Sequence, residues 1–432
     1  MSRSVSTGNS AGPEPLLAPL HSMEFAAPGP PRLTELTDGS PAWLVSRYPD
    51  VRQVLSDSRF GRAELYAPDG PSVSQVPGLV NDPDLMFNQD GPGHLRLRRT
   101  MRRAFTPRAV ARWQPWIAAI VEQLLDGLAD SNSDGDGPVD IVAEFTLPLP
   151  VAVISRLMGL DASARERMRH WSDHAFTDGS RCGDEVGAAM AEFSAFGAEL
   201  LAARRREPGD DLVSGLVRAA DEEGGIPEAQ LVSLVCGLVV GGHDSTMTML
   251  GNSLLYLLAE RQEAWPRLAA AGESAGAVAD RLLHLIPLGD DRGSTRRATE
   301  GVEVGGVLIP AGAVVLADCG MANRDPAVFP ASTADDLFAP LEAPTLSFGA
   351  GPHYCLGAWL ARVELQLALH RLAARFPGLR LAQPPDSVHW RVGTTSRSPE
   401  RLLVTWPRRE PDPVGPAPSG SLSGVRPGGR GR

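Results

Sequence analysis

Cys355 stands inside the run FGAGPHYCLGAWLAR, Phe348 to Arg362, with Gly349, Gly351 and Gly357 around it and His353 two positions before it. A cysteine does chemistry as its thiolate, either as a nucleophile or as a soft metal ligand. The three glycines free the backbone for tight turns and for close approach to something flat. The following run LGAWLARVELQLALHRLAARF is amphipathic, which puts Cys355 at a helix N-terminus. There the helix dipole and free N–H groups are expected to lower the thiol's pKa. The competing reading of a lone cysteine is a small buried hydrophobe.

A second chemically active stretch interrupts an apolar helix. From Pro227 to about Arg261 the chain has no internal proline, and Pro227 suits a first helical position. A helix of that length runs roughly 50 Å, enough to cross a domain. Its middle, GGHDST, is poor helix material. Gly241 and Gly242 each cost about 1 kcal/mol relative to alanine, and Asp244 and Ser245 are polar among apolar neighbours. One reading is a packing notch. The other is a ligand pressed against the helix backbone, facing a hydroxyl and a carboxylate.

The elements that must position these residues are mainly helical. PRAVARWQPWIAAIVEQLLDGLAD and GAAMAEFSAFGAELLAARRRE carry apolar residues at three- and four-residue spacing. Strand signals are confined to AWLVS and to VEVGGVLIPAGAVVLADC, where Gly305-Gly306 and Ala311-Gly312 read as hairpin turns. The expected fold class is mainly α with minor β in one large domain, residues 31–406. Residues 1–30 read as an extended arm and residues 407–432 as a low-complexity tail.

Composition sets bounds on function. The chain has 432 residues, 43% of them hydrophobic, and a formal net charge of -11, which argues against nucleic-acid or anionic-membrane binding. All 41 basic residues are arginine, so Schiff-base chemistry and the P-loop phosphate clamp are excluded. Four cysteines (Cys182, Cys236, Cys319, Cys355) are too scattered for a disulfide scaffold or paired zinc ligands. The N-terminus lacks the apolar core of a signal peptide. The longest apolar stretch, Leu231–Val240, is far shorter than the roughly 20 residues of a membrane span. A cytoplasmic protein with no membrane association is expected.

FGAGPHYCLG resembles the haem-ligand signature of the cytochrome P450 family, matching at Phe348, Gly349, Gly351, His353, Cys355 and Gly357. The resemblance extends over about residues 30–405. It implies haem b (iron-protoporphyrin IX) with Cys355 as the metal ligand and Phe348, Gly349 and His353 in the cofactor loop. In HLRLRR it implies His94 and Arg98 as propionate partners, and in TRRATEG, Arg296. GGHDS falls where the family's oxygen-activating helix carries Gly-x-Asp/Glu-Thr, which implies Gly242 against the cofactor and Asp244 with Ser245 as catalytic proton relay. A thiolate on haem iron favours O–O cleavage over reversible oxygen binding.

The pattern breaks in one place. The family's Glu-x-x-Arg before PLG is replaced by Arg281 and His284, and the partner arginine after the FP segment by Leu341 and Glu342. A reversed polarity is expected, with Arg281 pairing with Glu342 or another carboxylate in that loop and His284 replacing the arginine; the alternative is pairing through Asp280. The resemblance implies an O2-dependent monooxygenase acting on a small natural-product intermediate. Its electrons would come from ferredoxin and ferredoxin reductase, steered by Arg96, Arg99, Arg102, Arg103, Arg108 and Arg112. The resemblance also implies a pocket lined by Leu65–Gln89, the region around Trp171–Phe176, Leu288–Thr295 and Val392–Thr395. The polar run LGDDRGST within it points to a substrate with amide or hydroxyl groups, and the likeness to natural-product tailoring enzymes adds aromatic-containing ones. Alternatives are oxidative C–C or C–N coupling of aromatic or cyclic-dipeptide substrates and, from another class, a non-catalytic haem-binding or docking protein.

Overall fold

The computed structural model describes residues 27–407, except 37–38, 67–78, 132–136, 178–179, 290–293 and 331–335. The expected arm and tail therefore lie almost wholly outside the described residues. The helices, in chain order, are α1 (Tyr48–Ser56), α2 (Gly91–Arg102), α3 (Pro107–Ala111), α4 (Gln114–Ser131), α5 (Pro148–Met158), α6 (Ala162–Ala175) and α7 (Gly183–Arg206). They continue with α8 (Leu212–Glu223), α9 (Glu228–Ala259), α10 (Ala264–Ala269), α11 (Ala275–Leu285), α12 (Cys319–Ala322) and α13 (Ala358–Arg375).

The long apolar pattern is one uninterrupted helix. α9 has 32 residues, about 48 Å at the standard rise. Pro227 is its N-cap residue rather than its first helical one. From Thr246 to Leu258 every residue is buried, because the helix is apolar on all sides and α5, α6, α7 and α13 pack around it. By length and mean hydropathy alone, α7 (1.3) and α9 (1.2) would suffice to cross a membrane. α9 uses that apolarity inside the protein, where 67% of its most apolar window is buried.

A smaller core surrounds a five-stranded sheet in the order β1 (Arg32–Glu35), β2 (Pro41–Val45), β8 (Val314–Ala317), β5 (Thr295–Ala298), β3 (Phe60–Gly61). β6 (Val302–Val304) and β7 (Val307–Ile309) form the expected hairpin, with Gly305 and Gly306 at positive φ in a two-residue turn. The turn at Gly312 does not make a second hairpin. β8 pairs instead with β5 and, in parallel, with β2, because its apolar residues complete the core around Val45, Val51 and Phe329. The cysteine loop lies between the two cores, with α1 on one side and α13 leading away from it.

Candidate haem site

The cysteine loop folds by local rules. Cys355 N–H donates to the Phe348 carbonyl at 2.9 Å, closing the turn. Gly349 and Gly351 sit at φ +68° and +66°. A Cβ at Gly351 would lie 2.5 Å from the Leu55 carbonyl oxygen on α1, so only glycine lets the loop lie against that helix. Gly357 is the N-cap of α13. The Arg362 guanidinium lies 4.6 Å from the centroid of Phe348.

The thiol itself departs from expectation. Burial pushes the Cys355 thiol up, and the N–H groups of Gly357 and Ala358 with Arg98 and Arg362 only partly oppose it. The helix N-terminus is present, but desolvation outweighs it. A coordinated metal would remove the proton outright, so this burial does not oppose ligation.

Residues on both sides of Cys355 fit a flat, dianionic cofactor. Cys355 lies deep in the protein yet has an accessible side chain. In the middle of α9, Gly241 is exposed and a Cβ there would meet nothing within 4 Å. Gly242 is the packing notch instead: its Cβ would come within 2.6 Å of Ile154 Cδ1 on α5. Of the two, Gly241 and not the expected Gly242 leaves open space beside α9, because the packing of α5 fixes the rotation of the helix.

The expected carboxylate partners converge. Arg98 donates to the Tyr354 carbonyl beside Cys355. His94 is buried and stacks on His353, with ring centroids 4.2 Å apart. Arg296 is buried on β5 and donates to the Thr295 carbonyl at 2.9 Å. Burial, with His353 and Arg98 nearby, pushes His94 down to about 4; burial and Arg62 push Arg296 down to about 9. Burial also lowers His353, against the pull of Asp90. Cations held down by burial are groups that bound carboxylates would restore, and haem brings two.

One member of this cluster, Asp90, carries no motif signal. Asp90 accepts from His353 Nε2 at 3.1 Å and from the backbone N–H groups of Arg62 and Ala63 at 2.6 and 2.7 Å. Burial opposes its charge, but the His353 bond and those two donors hold its carboxyl below the usual range. Standing before Gly91 and Pro92, Asp90 looks like a helix cap; it makes no side-chain cap bond and turns to His353 instead.

On α9 the acid and the hydroxyl do not meet. Asp244 is buried and accepts from Arg391 Nη1 at 2.9 Å and from Ser396 Oγ at 3.0 Å. Arg391 also donates to Asp173 Oδ1 at 2.7 Å. Burial works against its charge, but Asp244 and Asp173 hold its pKa up. Ser245 Oγ donates back to the Gly241 carbonyl at 3.1 Å. The expected contiguous relay is thus two separately anchored groups. One residue before Asp244, His243 bonds the Val239 carbonyl through Nδ1 and Ser172 Oγ through Nε2, stapling α9 to α6.

Behind the loop the expected charge reversal is present. Arg281 Nη1 lies 3.6 Å from Glu342 Oε2, and its Nη2 donates to the Pro340 carbonyl at 3.0 Å. The Arg281 side chain is 1% exposed and that of Glu342 25%. Asp280 pairs with Arg362 at 2.6 Å, so it is not the partner of Arg281. His284 does not replace the arginine: it packs at a tilt against Phe329, with centroids 4.3 Å apart, and burial beside Arg281 pushes it down to about 4. Neutral groups tie α11 to the loop, Ser347 Oγ donating to the Leu283 carbonyl at 2.6 Å and Asn323 bridging Ser347 and Leu346.

The pocket segments named from sequence divide. Residues 67–78 and 290–293 lie outside the described residues. Trp171 is fully buried in the core against Phe193, with centroids 4.7 Å apart, and is not a pocket wall. The Thr394–Ser396 turn pairs with Thr177 and Gly289, close to the Asp244 anchor.

Comparison with known proteins agrees with this geometry. The cytochrome P450 family profile matches residues 281–404. Nocardicin C N-oxygenase of Nocardia uniformis subsp. tsuyamanensis is 43% identical over 368 residues, covering 85% of this chain and 90% of that protein. Mycinamicin IV hydroxylase/epoxidase of Micromonospora griseorubida is 39% identical over 370 residues, covering 85% and 90%. A solved cytochrome P450 described as having biaryl coupling reactivity superposes with a TM-score of 0.80 at 34% identity, covering 87% of this chain and 93% of that one. Haem, when bound, would supply the oxygen-activating chemistry; of the residues described here, Cys355 would be the candidate ligand and His94, Arg98, Arg296 and His353 the candidate propionate partners. The chain belongs to the cytochrome P450 family, whose members bind haem b and act as monooxygenases.

Proposed function

We propose that this monooxygenase oxidises a small natural-product intermediate bearing amide or aryl groups, in the cytoplasm, with electrons from a ferredoxin. The observation that carries the substrate class is the polar cluster beside α9. Asp244, Arg391 and Asp173 form a continuous chain of charge, to which Ser396 Oγ donates through Asp244. A wholly apolar ligand would leave such groups poorly solvated. The relative named as an N-oxygenase supports attack at or beside nitrogen.

Asp244 and Ser245 are the proposed proton relay, and Cys355, His94, Arg98, Arg296, His353, Phe348 and Gly349 the proposed haem contacts. In the relay, Asp244 leaves Arg391 or Ser396 and Ser245 leaves the Gly241 carbonyl, so that the hydroxyl can pass a proton to the oxygen side. The ferredoxin reading is supported by Arg102, Arg103, Arg108 and Arg112, all exposed in an acidic chain, with Arg99 tied to Glu223. Beside them a cleft of about 300 Å³ is lined by Val110, Trp359 and Arg362. Trp359 is 45% exposed there, as an interface anchor would be. The four cysteines are free thiols, which suits a reducing compartment.

The second reading is oxidative coupling of aryl rings, favoured by the structural neighbour with biaryl coupling reactivity. Optical titration of the purified haem protein with amide-bearing aryl metabolites tests binding, and turnover with a surrogate ferredoxin and reductase tests chemistry. A product heavier by one oxygen atom supports oxygenation. A product of two joined rings with two hydrogens lost supports coupling. Tight binding without product under any redox partner overturns both in favour of a docking protein.

A further inference from the structure

Arg62 follows β3 and is 3% exposed. A guanidinium buried that far is tolerated only where its donors are satisfied. Its fork reaches distant parts of the chain. Nε and Nη2 donate to Asn88 Oδ1 at 3.3 and 2.9 Å, Nη2 also donates to the Tyr66 hydroxyl at 2.9 Å, and Nη1 donates to the Thr295 carbonyl at 3.2 Å. Its plane covers Phe87, with Cζ 3.9 Å from the ring centroid. Its backbone N–H holds Asp90, which holds His353.

Each partner is one step from a cation of the haem site. Thr295 is the chain neighbour of Arg296. Asn88 and Asp90 lead into α2, which carries His94 and Arg98. We propose that Arg62 is a positioning residue for the haem carboxylates: its rigid fork sets β5, the start of α2 and the cysteine loop in register. Arg98, Arg296, His94 and His353 then converge on one place. The charge of Arg62 also bears on Arg296, pushing it down. That like-charge cost is offset once two carboxylates bind. Lysine cannot reproduce this arrangement, because its single ammonium cannot span separated acceptors and stack on a ring. The inference rests on haem binding by the family and is independent of the substrate.

The test compares the wild-type, Arg62→Met and Arg62→Lys holoenzymes by the rate and extent of haem transfer to excess apomyoglobin. The propionate bending bands in the resonance Raman spectrum and the ferric–ferrous midpoint potential are recorded alongside. We expect at least tenfold faster haem transfer and shifted propionate bands in both variants, with helical content retained. Wild-type transfer from Arg62→Met overturns the inference. Wild-type transfer and bands in Arg62→Lys alone also overturn it, since charge without the fork would then suffice. If Arg62→Met fails to fold, Asn88→Ala and Tyr66→Phe remove acceptors of the fork while leaving the arginine; unchanged transfer in both overturns the inference. Failure of wild type to take up haem would instead refute haem binding itself.

Discussion

The cysteine side and the α9 side of the haem site are built by different means. On the cysteine side the shape comes from backbone: two positive-φ glycines, a closing N–H to the Phe348 carbonyl, and a helix that starts at Gly357. On the α9 side it comes from side chains that meet across the chain. Asp244 is held by Arg391, 147 residues away, and Ser396, while the helix rotation is fixed by Ile154 filling the notch at Gly242. A backbone-built site is local and rigid. A site built from distant side chains is adjustable, because each ion pair can be exchanged without refolding the element that carries it. The first suits a permanent ligand and the second suits groups that must move protons.

The largest effect expected from breaking this division is at Cys355. Cys355→Ala removes the thiolate-type band from the reduced carbon monoxide spectrum entirely, and a retained band would refute the ligand assignment. Next comes the scaffold behind the loop. Glu342→Leu leaves the fully buried Arg281 without its carboxylate and costs about 3–5 kcal/mol in urea unfolding. Arg281→Met costs less, since Glu342 is partly exposed and can turn to water. Combining the two recovers most of the loss, and simple additivity would show that the pair is not coupled.

How much of this was legible in the sequence follows from the same division. The cysteine loop, the length of α9 and the β6–β7 hairpin are written in contiguous residues, through glycine spacing and apolar run length. Of two adjacent glycines on α9, only tertiary packing decides which faces open space, so Gly242 could not be told from Gly241. The partners of Asp244 and the fork of Arg62 lie in irregular segments without periodicity. Arg281 with Glu342 was foreseeable because a whole charge network had been exchanged, whereas the packing of His284 against Phe329 leaves no trace in spacing. The lowered thiol pKa failed because a helix N-terminus is visible in sequence and depth of burial is not.

On the α9 side the effects grow smaller and more specific. Asp244→Asn slows product formation by roughly 100-fold, the scale of a lost general acid. Ser245→Ala diverts electrons to hydrogen peroxide, measured as product formed per reductant consumed. If neither ratio nor rate changes, the relay assignment fails. The adjacent glycines give the finest test. Gly242→Ala forces Ile154 aside and costs about 1–3 kcal/mol. Gly241→Ala meets no neighbour and gains up to about 1 kcal/mol of helix propensity, but perturbs the Soret band or its response to ligands. Equal behaviour of the two variants would contradict the rotation of α9.

The inverted Arg281–Glu342 pair constrains how segments of this enzyme can be exchanged with those of relatives. A chimera that imports the loop around residue 342 from a protein with Glu-x-x-Arg polarity would set an arginine against Arg281, two like charges in a place almost closed to water. Importing the stretch around residue 281 alone would oppose two carboxylates. Crossover points therefore have to fall outside residues 281–342, and the whole interval has to travel as one inherited block.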